Sequence, residues 1–142
     1  VEAAEDDETQ GAADIAAAGV RPHDFVVGIA ASGATPYVAG ALRGARRAGA
    51  QTALLCCNPM AALPVDIRIA LDTGPEVLAG STRLKAGTAT KMALNILSTG
   101  AMARAGKVCQ GLMIGMKPTN AKLRRRAARI ISTDADAGST SL

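Results

Sequence analysis

The chain has 142 residues, the length of one ordinary domain, and apolar residues make up 49% of it. Aromatic side chains are nearly absent, with one Phe, one Tyr and no Trp, so the core must consist of Ala, Val, Ile and Leu, with Met filling gaps. The net charge is +4, and the basic residues are unevenly distributed, because five of them fall within residues 122–129. Without aromatic residues to stack on bases, this run is typical of a solvated helix face, and we predict no nucleic-acid partner.

The predicted elements alternate between helices and strands. An Ala-rich segment that is acidic at its start, 1–18, is typical of a helix, and an apolar run at 25–30 is typical of a buried strand. Pro36 in the first turn favours a helix over 36–48. We predict further strands at 52–57 and 67–71, a long helix at 84–105, and a last helix that Thr119 or Asn120 caps and that runs to Ser132.

Two stretches are interpreted separately. In the long helix, apolar positions such as Met92, Ile96 and Met102 recur at helical spacing together with Thr99, which predicts core packing. Residues 108–116 are ambiguous, because their glycines argue against a long helix.

Alternating helices and fully apolar strands predict an α/β fold, with a parallel sheet, helices on both faces and strands that are buried on both sides. We predict one domain over 1–132 and a flexible tail over 133–142, which is small and polar. Val1 is not Met, and the chain opens as if in mid-helix with no preceding strand. We therefore expect a fragment, the second part of a larger domain. Ligands of such sheets bind at the carboxyl ends of the strands.

Cysteine usage and hydropathy bear on location. No apolar run approaches the roughly 18 residues needed to span a bilayer, and we expect no signal peptide. The neighbours Cys56 and Cys57 should point to opposite faces of a strand, and neither they nor Cys109 are spaced as metal ligands or as a disulfide framework. Reduced thiols in a cytoplasmic protein without a membrane partner are expected.

The loop after the first strand is a candidate anion site. Ser32 and Thr35 supply hydroxyls, Gly33 allows a tight turn, and the following helix N-terminus supplies amide groups and a partial positive charge. Ordinary helix capping explains the same residues equally well. The loop matches neither the Walker pattern nor the dinucleotide fingerprint, so nucleotide binding is disfavoured.

Two motifs resemble the sugar isomerase (SIS) family. Residues 32–35, S-G-A-T, look like the second half of the S-x-S-G-x-T loop that holds the phosphate of a phosphosugar in that family, with Ala30 at the first serine. Residues 74–82, G-P-E-V-L-A-G-S-T, resemble the segment that opens its long helix. The resemblance implies an incomplete three-layer α/β/α fold.

Further stretches are similar to the N-acetylmuramic acid 6-phosphate etherases. They are V-E-A-A-E-D-D at 1–7, G-I-A-A-S-G followed by T-P-Y-V at 28–38, and E-V-L-A-G-S-T-R-L-K-A-G-T-A-T-K at 76–91. That family cleaves the lactyl ether of its phosphosugar by elimination and addition of water, with acid/base carboxylates and without metal or organic cofactor. The resemblance implies a lyase, a phosphosugar substrate and a homodimer.

The resemblance also implies residue roles. Glu5 matches a catalytic glutamate of the family, although a surface carboxylate among acidic neighbours has the same appearance. The residues implied to bind substrate or phosphate are Ser32, Gly33, Thr35, Glu76, Ser81, Thr82 and Lys85. For Lys85, and for the neighbouring Arg83, a solvated surface position is the alternative.

Departures leave alternatives open. Ala34 stands where the family has an arginine, which removes a cation near the anion site. The family's other catalytic glutamate belongs to motifs that precede the matched region, so we expect this chain alone to be inactive. A non-catalytic phosphosugar-binding SIS module is the alternative function, and an aldose–ketose isomerase of the same fold is a third.

Overall fold

The computed structural model describes residues 2–138, which form two compact units that divide between Ala93 and Leu94. The elements in chain order are a 3-10 helix (Glu2–Asp6), α1 (Glu8–Ala17), β1 (Phe25–Ile29), α2 (Pro36–Arg47), β2 (Gln51–Cys56), β3 (Ile67–Ala70), α3 (Lys85–Arg104), β4 (Val108–Cys109), β5 (Leu112–Met113) and α4 (Ala121–Gly138). Within the described residues, no helix is both long and apolar enough to cross a membrane.

The first unit contains the predicted parallel sheet, with strands in the order β1-β2-β3. Gly28 of β1 pairs with Leu54 of β2, and Leu55 of β2 pairs with Ile69 of β3. The central strand β2 is buried from its second residue onward, as predicted. Burial on both faces was a wrong prediction for the two outer strands. Among the described residues each has a neighbouring strand on one side only, and Phe25 and Ile67 are each 49% exposed.

Helix α2 covers one face of the sheet. Leu42 and Val38 lie over Gly28 of β1, and Leu42 belongs to a buried cluster with Leu54 and Cys56 of β2. The helix begins at Pro36, as predicted, where the missing amide hydrogen costs no intrahelical bond. The apolar positions of α2 thus anchor the helix whose N-terminus adjoins the loop after β1.

The adjacent cysteines lie on opposite faces of the sheet. Cys56 packs in the cluster under α2, whereas Sγ of Cys57 lies 3.7 Å from the carbonyl oxygen of Ala86 and 3.8 Å from Oγ1 of Thr90. The first turns of α3 therefore contact the face that α2 leaves open. This arrangement confirms an α/β fold of the predicted class.

The N-terminal segment is not one helix. The prediction of a continuous helix over 1–18 is wrong, because a 3-10 helix ends at Asp6 and α1 starts at Glu8. Asp7 between them has extended backbone angles, and its carboxylate accepts a hydrogen bond from the amide of Gln10 at 2.8 Å. An Asp in that role ends one element and begins the next.

In the second unit, the ambiguous stretch 108–116 forms an antiparallel hairpin of β4 and β5. Its two-residue turn, Gln110 and Gly111, has positive φ at both positions (48° and 78°), as a tight hairpin turn requires. Asn120 caps α4 by accepting from the amide of Leu123 at 2.9 Å. The helix extends past the predicted end at Ser132 to Gly138, and the remainder of the predicted tail, 139–142, lies outside the described residues.

The predicted core stripe of α3 is exposed. Met92, Ile96 and Met102 are 57%, 71% and 58% exposed, and Thr99 is exposed as well. The side of α3 that meets the sheet carries small residues such as Ala86 instead. Helical spacing identified an apolar face but could not tell which face the sheet would cover, so the core prediction is wrong for these residues.

Candidate functional site

The loop between β1 and α2 is held in a tight turn at the carboxyl end of the sheet. Gly33 has φ +72°, and a Cβ there would collide with Ala61 and lie 3.4 Å from Cβ of Cys56. Only glycine satisfies both the backbone angle and the space. The side chain of Asn58, after β2, donates to the carbonyl oxygen of Ser32 at 3.1 Å. The loop is therefore anchored to the neighbouring strand before any ligand arrives.

Two hydroxyl groups flank the N-terminus of α2. Oγ of Ser32 accepts a hydrogen bond from the amide of Ala34 at 3.2 Å, which leaves its own proton free to be donated. Thr35 is the N-cap residue of α2, but in the described structure its side chain makes no capping hydrogen bond. The hydroxyls and the helix terminus together suit an anion.

A cavity of about 530 Å³ opens beside this loop. It is lined by Ala4, Glu5, Ile29, Ala30, Ala31, Ser32, Thr35, Tyr37, Val38 and Thr82. The structure thus brings four of the predicted site residues to one cavity from three separate parts of the chain. A carboxylate, three hydroxyls and a helix N-terminus share one space.

Glu5 reaches the cavity because of the short element that carries it. It is exposed on the 3-10 helix, which packs against α2. Its neighbour Ala4 lines the same cavity. The break at Asp7 separates this segment from α1, and Glu5, although exposed, is among the residues that line the cavity.

Glu76 lies elsewhere, at the start of α3. Its two carboxylate oxygens accept hydrogen bonds from the amides of Ala86 at 2.9 Å and Lys85 at 3.0 Å. The bond from Ala86 contributes most to a lowered pKa of Glu76, and the bond from Lys85 and its ammonium charge lower that pKa further. The Glu76 carboxylate satisfies two otherwise unpaired helix amides and is not part of the cavity wall.

The other predicted residues of this segment divide between the cavity and its surroundings. Thr82 lines the cavity, whereas Ser81 and Lys85 do not. The amide of Ser81 donates to the carbonyl oxygen of Leu78 at 3.0 Å, forming a turn that presents Thr82. Glu76 is bonded to the first turn of α3 and does not line the cavity.

Sequence reasoning assigned no role to Tyr37, the chain's one tyrosine. It is among the residues that line the cavity, and its hydroxyl donates to Oδ2 of Asp14 at 2.7 Å. This bond, followed by a 2.7 Å bond from the side chain of Gln10, lowers the pKa of Asp14, and it raises the pKa of Tyr37. The feature of the sequence that could have drawn attention to Tyr37 is that it is the one tyrosine in a chain almost without aromatic residues.

The arrangement places hydroxyl groups and a helix N-terminus, which suit an anion, beside the carboxylate-bearing residue Glu5. The residues that the structure describes include no group of three or more His, Cys, Asp or Glu side chains able to hold a metal ion. The parallel sheet, the loop between its first strand and α2, and a long helix whose first turns lie on the opposite face match the partial SIS-type α/β fold that the sequence predicts.

Comparison with known proteins agrees with this class. No family model matches the chain. Over 132 residues it is 59% identical to the N-acetylmuramic acid 6-phosphate etherase of Symbiobacterium thermophilum, covering 92% of this chain and 44% of the relative. Over 148 residues it is 51% identical to the etherase of the same name from Deinococcus radiodurans, covering 100% of this chain and 48% of the relative.

A third relative, from Gloeobacter violaceus, has the same name and is 55% identical over 135 residues, which are 94% of this chain and 44% of the relative. The resemblance to the N-acetylmuramic acid 6-phosphate etherases is therefore confirmed across nearly the whole chain. The chain spans less than half the length of the relatives it matches.

Proposed function

We propose that the intact protein containing this chain is a lyase that cleaves N-acetylmuramic acid 6-phosphate to N-acetylglucosamine 6-phosphate and D-lactate. The observation that carries the proposal is the single cavity shared by Glu5, Ser32, Thr35 and Thr82. Identity of 51–59% to proteins named as this etherase supports the choice of substrate.

In the proposed reaction, the sugar opens to its aldehyde form and a base removes the proton at C2, which the neighbouring carbonyl acidifies. The C3–O bond then breaks, the electron pair forms a C2=C3 double bond, and an acid protonates the departing lactate. Water adds its hydroxyl to C3 and a proton returns to C2. Glu5 serves as one of the two acid/base carboxylates, and no metal or organic cofactor takes part.

The phosphate is proposed to bind at the loop after β1. Ser32 and Thr35 donate hydroxyl protons, and the N-terminus of α2 adds its partial positive charge. Gly33 contributes through its turn, which leaves no room for a side chain. With Ala34 in place of an arginine, hydroxyls and helix amides provide the attraction in this loop.

The segment before α3 is proposed to form the opposite wall. Thr82 contacts the sugar, Ser81 and Lys85 complete the substrate side, and Glu76 holds the segment against the start of the helix. Glu76 is thus given an indirect role in substrate binding.

We further propose that the intact protein is a cytoplasmic homodimer. The half-exposed ends of β1 and the exposed apolar residues of α3 offer surface for association, and Cys56, Cys57 and Cys109 are all free thiols, as a reducing compartment favours. Light scattering that gives the mass of a monomer would contradict the dimer.

Calorimetric titration of the intact protein with N-acetylmuramic acid 6-phosphate tests the phosphate site. Loss of one hydrogen bond to a charged group costs about 1.5–3 kcal/mol, so Ser32→Ala should weaken binding by roughly 10- to 150-fold. Ser98→Ala is the matched control, because Oγ of Ser98 donates to the carbonyl oxygen of Leu94 within α3. The unphosphorylated sugar should bind weakly to all three proteins.

Two outcomes would contradict the proposal. Equal binding of the phosphorylated and unphosphorylated sugars would reject the anion loop. Tight, phosphate-dependent binding without release of D-lactate by the intact protein would favour the non-catalytic SIS module instead.

A further inference from the structure

Helices α1 and α2 touch through their backbones. A Cβ on Gly11 of α1 would collide with the carbonyl group of Tyr37, and a Cβ on Gly40 of α2 would collide with the carbonyl group of Glu8. The contact is reciprocal, because each glycine faces the main chain of the other helix. Interhelical contact this close fixes where along each helix the other one crosses.

A hydrogen-bonded chain of side chains lies beside this crossing. Tyr37 donates to Oδ2 of Asp14, and the side chain of Gln10 donates to Oδ1 of the same carboxylate, each at 2.7 Å. Arg43 and Glu8 form an ion pair between the same two helices. The glycines set the separation of the helices, and the Asp14–Tyr37 bond resists their rotation and sliding.

These contacts act on the cavity because each helix carries part of its wall. The 3-10 helix with Glu5 is joined to α1 by Asp7 alone. Ser32 and Thr35 immediately precede α2. Any shift of α1 relative to α2 therefore changes the separation of the carboxylate from the anion loop.

We propose that Asp14 and Tyr37 are positioning residues, which hold the Glu5 carboxylate at a fixed place across the cavity from Ser32 and Thr35. This inference rests on the proposed role of Glu5 in the reaction. The donor proton of Tyr37 is directed at Asp14 rather than at the substrate, so the phenol acts through the carboxylate of Glu5.

The test measures release of D-lactate by the intact protein with Tyr37→Phe and Asp14→Ala, each alone, together, and combined with Glu5→Gln. Misplacement of a catalytic group by about 1 Å can cost up to roughly 100-fold in rate, and a single lost bond should cost about tenfold in kcat. KM should stay within about twofold, because the anion loop is unchanged. The double variant should match either single variant, since both remove the same bond.

Combination with Glu5→Gln distinguishes an effect on the position of Glu5 from an effect on the stability of the fold. With no carboxylate to position, Tyr37→Phe and Asp14→Ala should have no further effect on kcat. Arg46→Met is the matched control, because it removes another hydrogen bond of α2, from the guanidinium to the carbonyl oxygen of Pro64 at 2.8 Å. It should lower the melting temperature and leave kcat unchanged.

Two results would overturn the inference. One is an equal loss of kcat from Tyr37→Phe with and without the Glu5 carboxylate. The other is a loss from Tyr37→Phe that Asp14→Ala does not reproduce, which would mean that the phenol contacts the substrate directly. Wild-type turnover by Glu5→Gln alone would instead reject the proposed role of Glu5, and the positioning role with it.

Discussion

Gly11 of α1 lies against the carbonyl group of Tyr37 in α2, with no space between them for a methyl group. The neighbour is backbone, so it cannot rotate away as a flexible side chain would. This one contact ties the stability of the helix pair to the geometry of the cavity that Tyr37 lines.

Gly11→Ala should destabilise the protein in spite of the better helix propensity of alanine. Alanine gains about 1 kcal/mol over glycine in a helix interior, whereas overpacking costs about 3 kcal/mol at the upper end of its usual range. We expect the free energy of unfolding to fall by roughly 2 kcal/mol, as measured by urea titration.

Gly44→Ala is the matched control on α2. A Cβ there would lie 3.4 Å from Cα and the carbonyl oxygen of Ala12, which is an ordinary contact distance. This variant should be neutral or more stable by up to about 1 kcal/mol. Equal destabilisation by both substitutions would show that the close crossing at Gly11 is not the cause.

Glu76→Ala should loosen the first turn of α3. The carboxylate accepts hydrogen bonds from the amides of Lys85 and Ala86, and both amides lose their partner in the variant. Hydrogen exchange of these two amides should accelerate at least about tenfold. Glu76→Gln keeps one acceptor oxygen and should give an intermediate rate. A raised KM with unchanged exchange would instead indicate direct contact with the substrate.

The free energy of unfolding should fall in acid because three folded-state carboxyl groups have lowered pKa values. The hydrogen bond from the Tyr37 hydroxyl lowers the pKa of Asp14. The hydroxyl of Thr52, and then its amide, lower the pKa of Asp66. The amide of Ala86 contributes most to the lowered pKa of Glu76. Stabilisation from a lowered pKa is complete above the unfolded value and is lost as the pH falls through the folded value.

As the pH falls, the loss of stability should therefore begin near pH 4.5, the ordinary pKa of Glu, and continue below pH 3.8, the ordinary pKa of Asp. Circular dichroism against pH should show a shallower acid transition for Asp14→Asn and for Asp66→Asn. Gly44→Ala should shift the curve without changing its slope, because it touches none of these carboxyl groups. A wild-type slope in both Asn variants would contradict the assignment.

Glu5→Gln should lower kcat by about 10²- to 10⁴-fold, the range for loss of a general acid or base, with little change in KM. Exchange of the C2 proton of the substrate with deuterated water shows whether Glu5 acts in proton removal at C2 or in protonation of the departing lactate. If the variant loses exchange, Glu5 is the base at C2; if exchange persists while lactate release is lost, Glu5 is the acid. A variant with wild-type kcat would exclude both roles.

Much of the first unit was predictable from local pattern. The buried strand β2 and the start of α2 at Pro36 follow from an apolar run and from the geometry of proline. The loop residues Ser32 and Thr35 were found because a strand, a small loop and a helix start succeed one another in the chain. The etherase resemblance was predicted from longer motifs, and 59% identity over 132 residues to a relative of that name confirmed it.

What local pattern could not supply depends on contacts between distant residues. The break at Asp7, which takes Glu5 to the cavity, is a choice between capping and continuing a helix. The bond from Tyr37 to Asp14 joins residues 23 positions apart. Met102 is exposed because the other face of α3 meets the neighbouring residues. Helical periodicity identifies an apolar face but does not say whether other residues will cover it.

The depths of the three cysteines have a practical consequence. The chain has no Trp, so intrinsic fluorescence has little to report, but its thiols differ widely in accessibility. Cys109 is exposed on the hairpin, Cys57 is half-buried beside the first turns of α3, and Cys56 is 1% exposed inside the sheet. A colour-forming thiol reagent should therefore react in three phases, and the last one records how often the sheet itself opens. The protein carries its own chemical reporters of local unfolding, one for each depth.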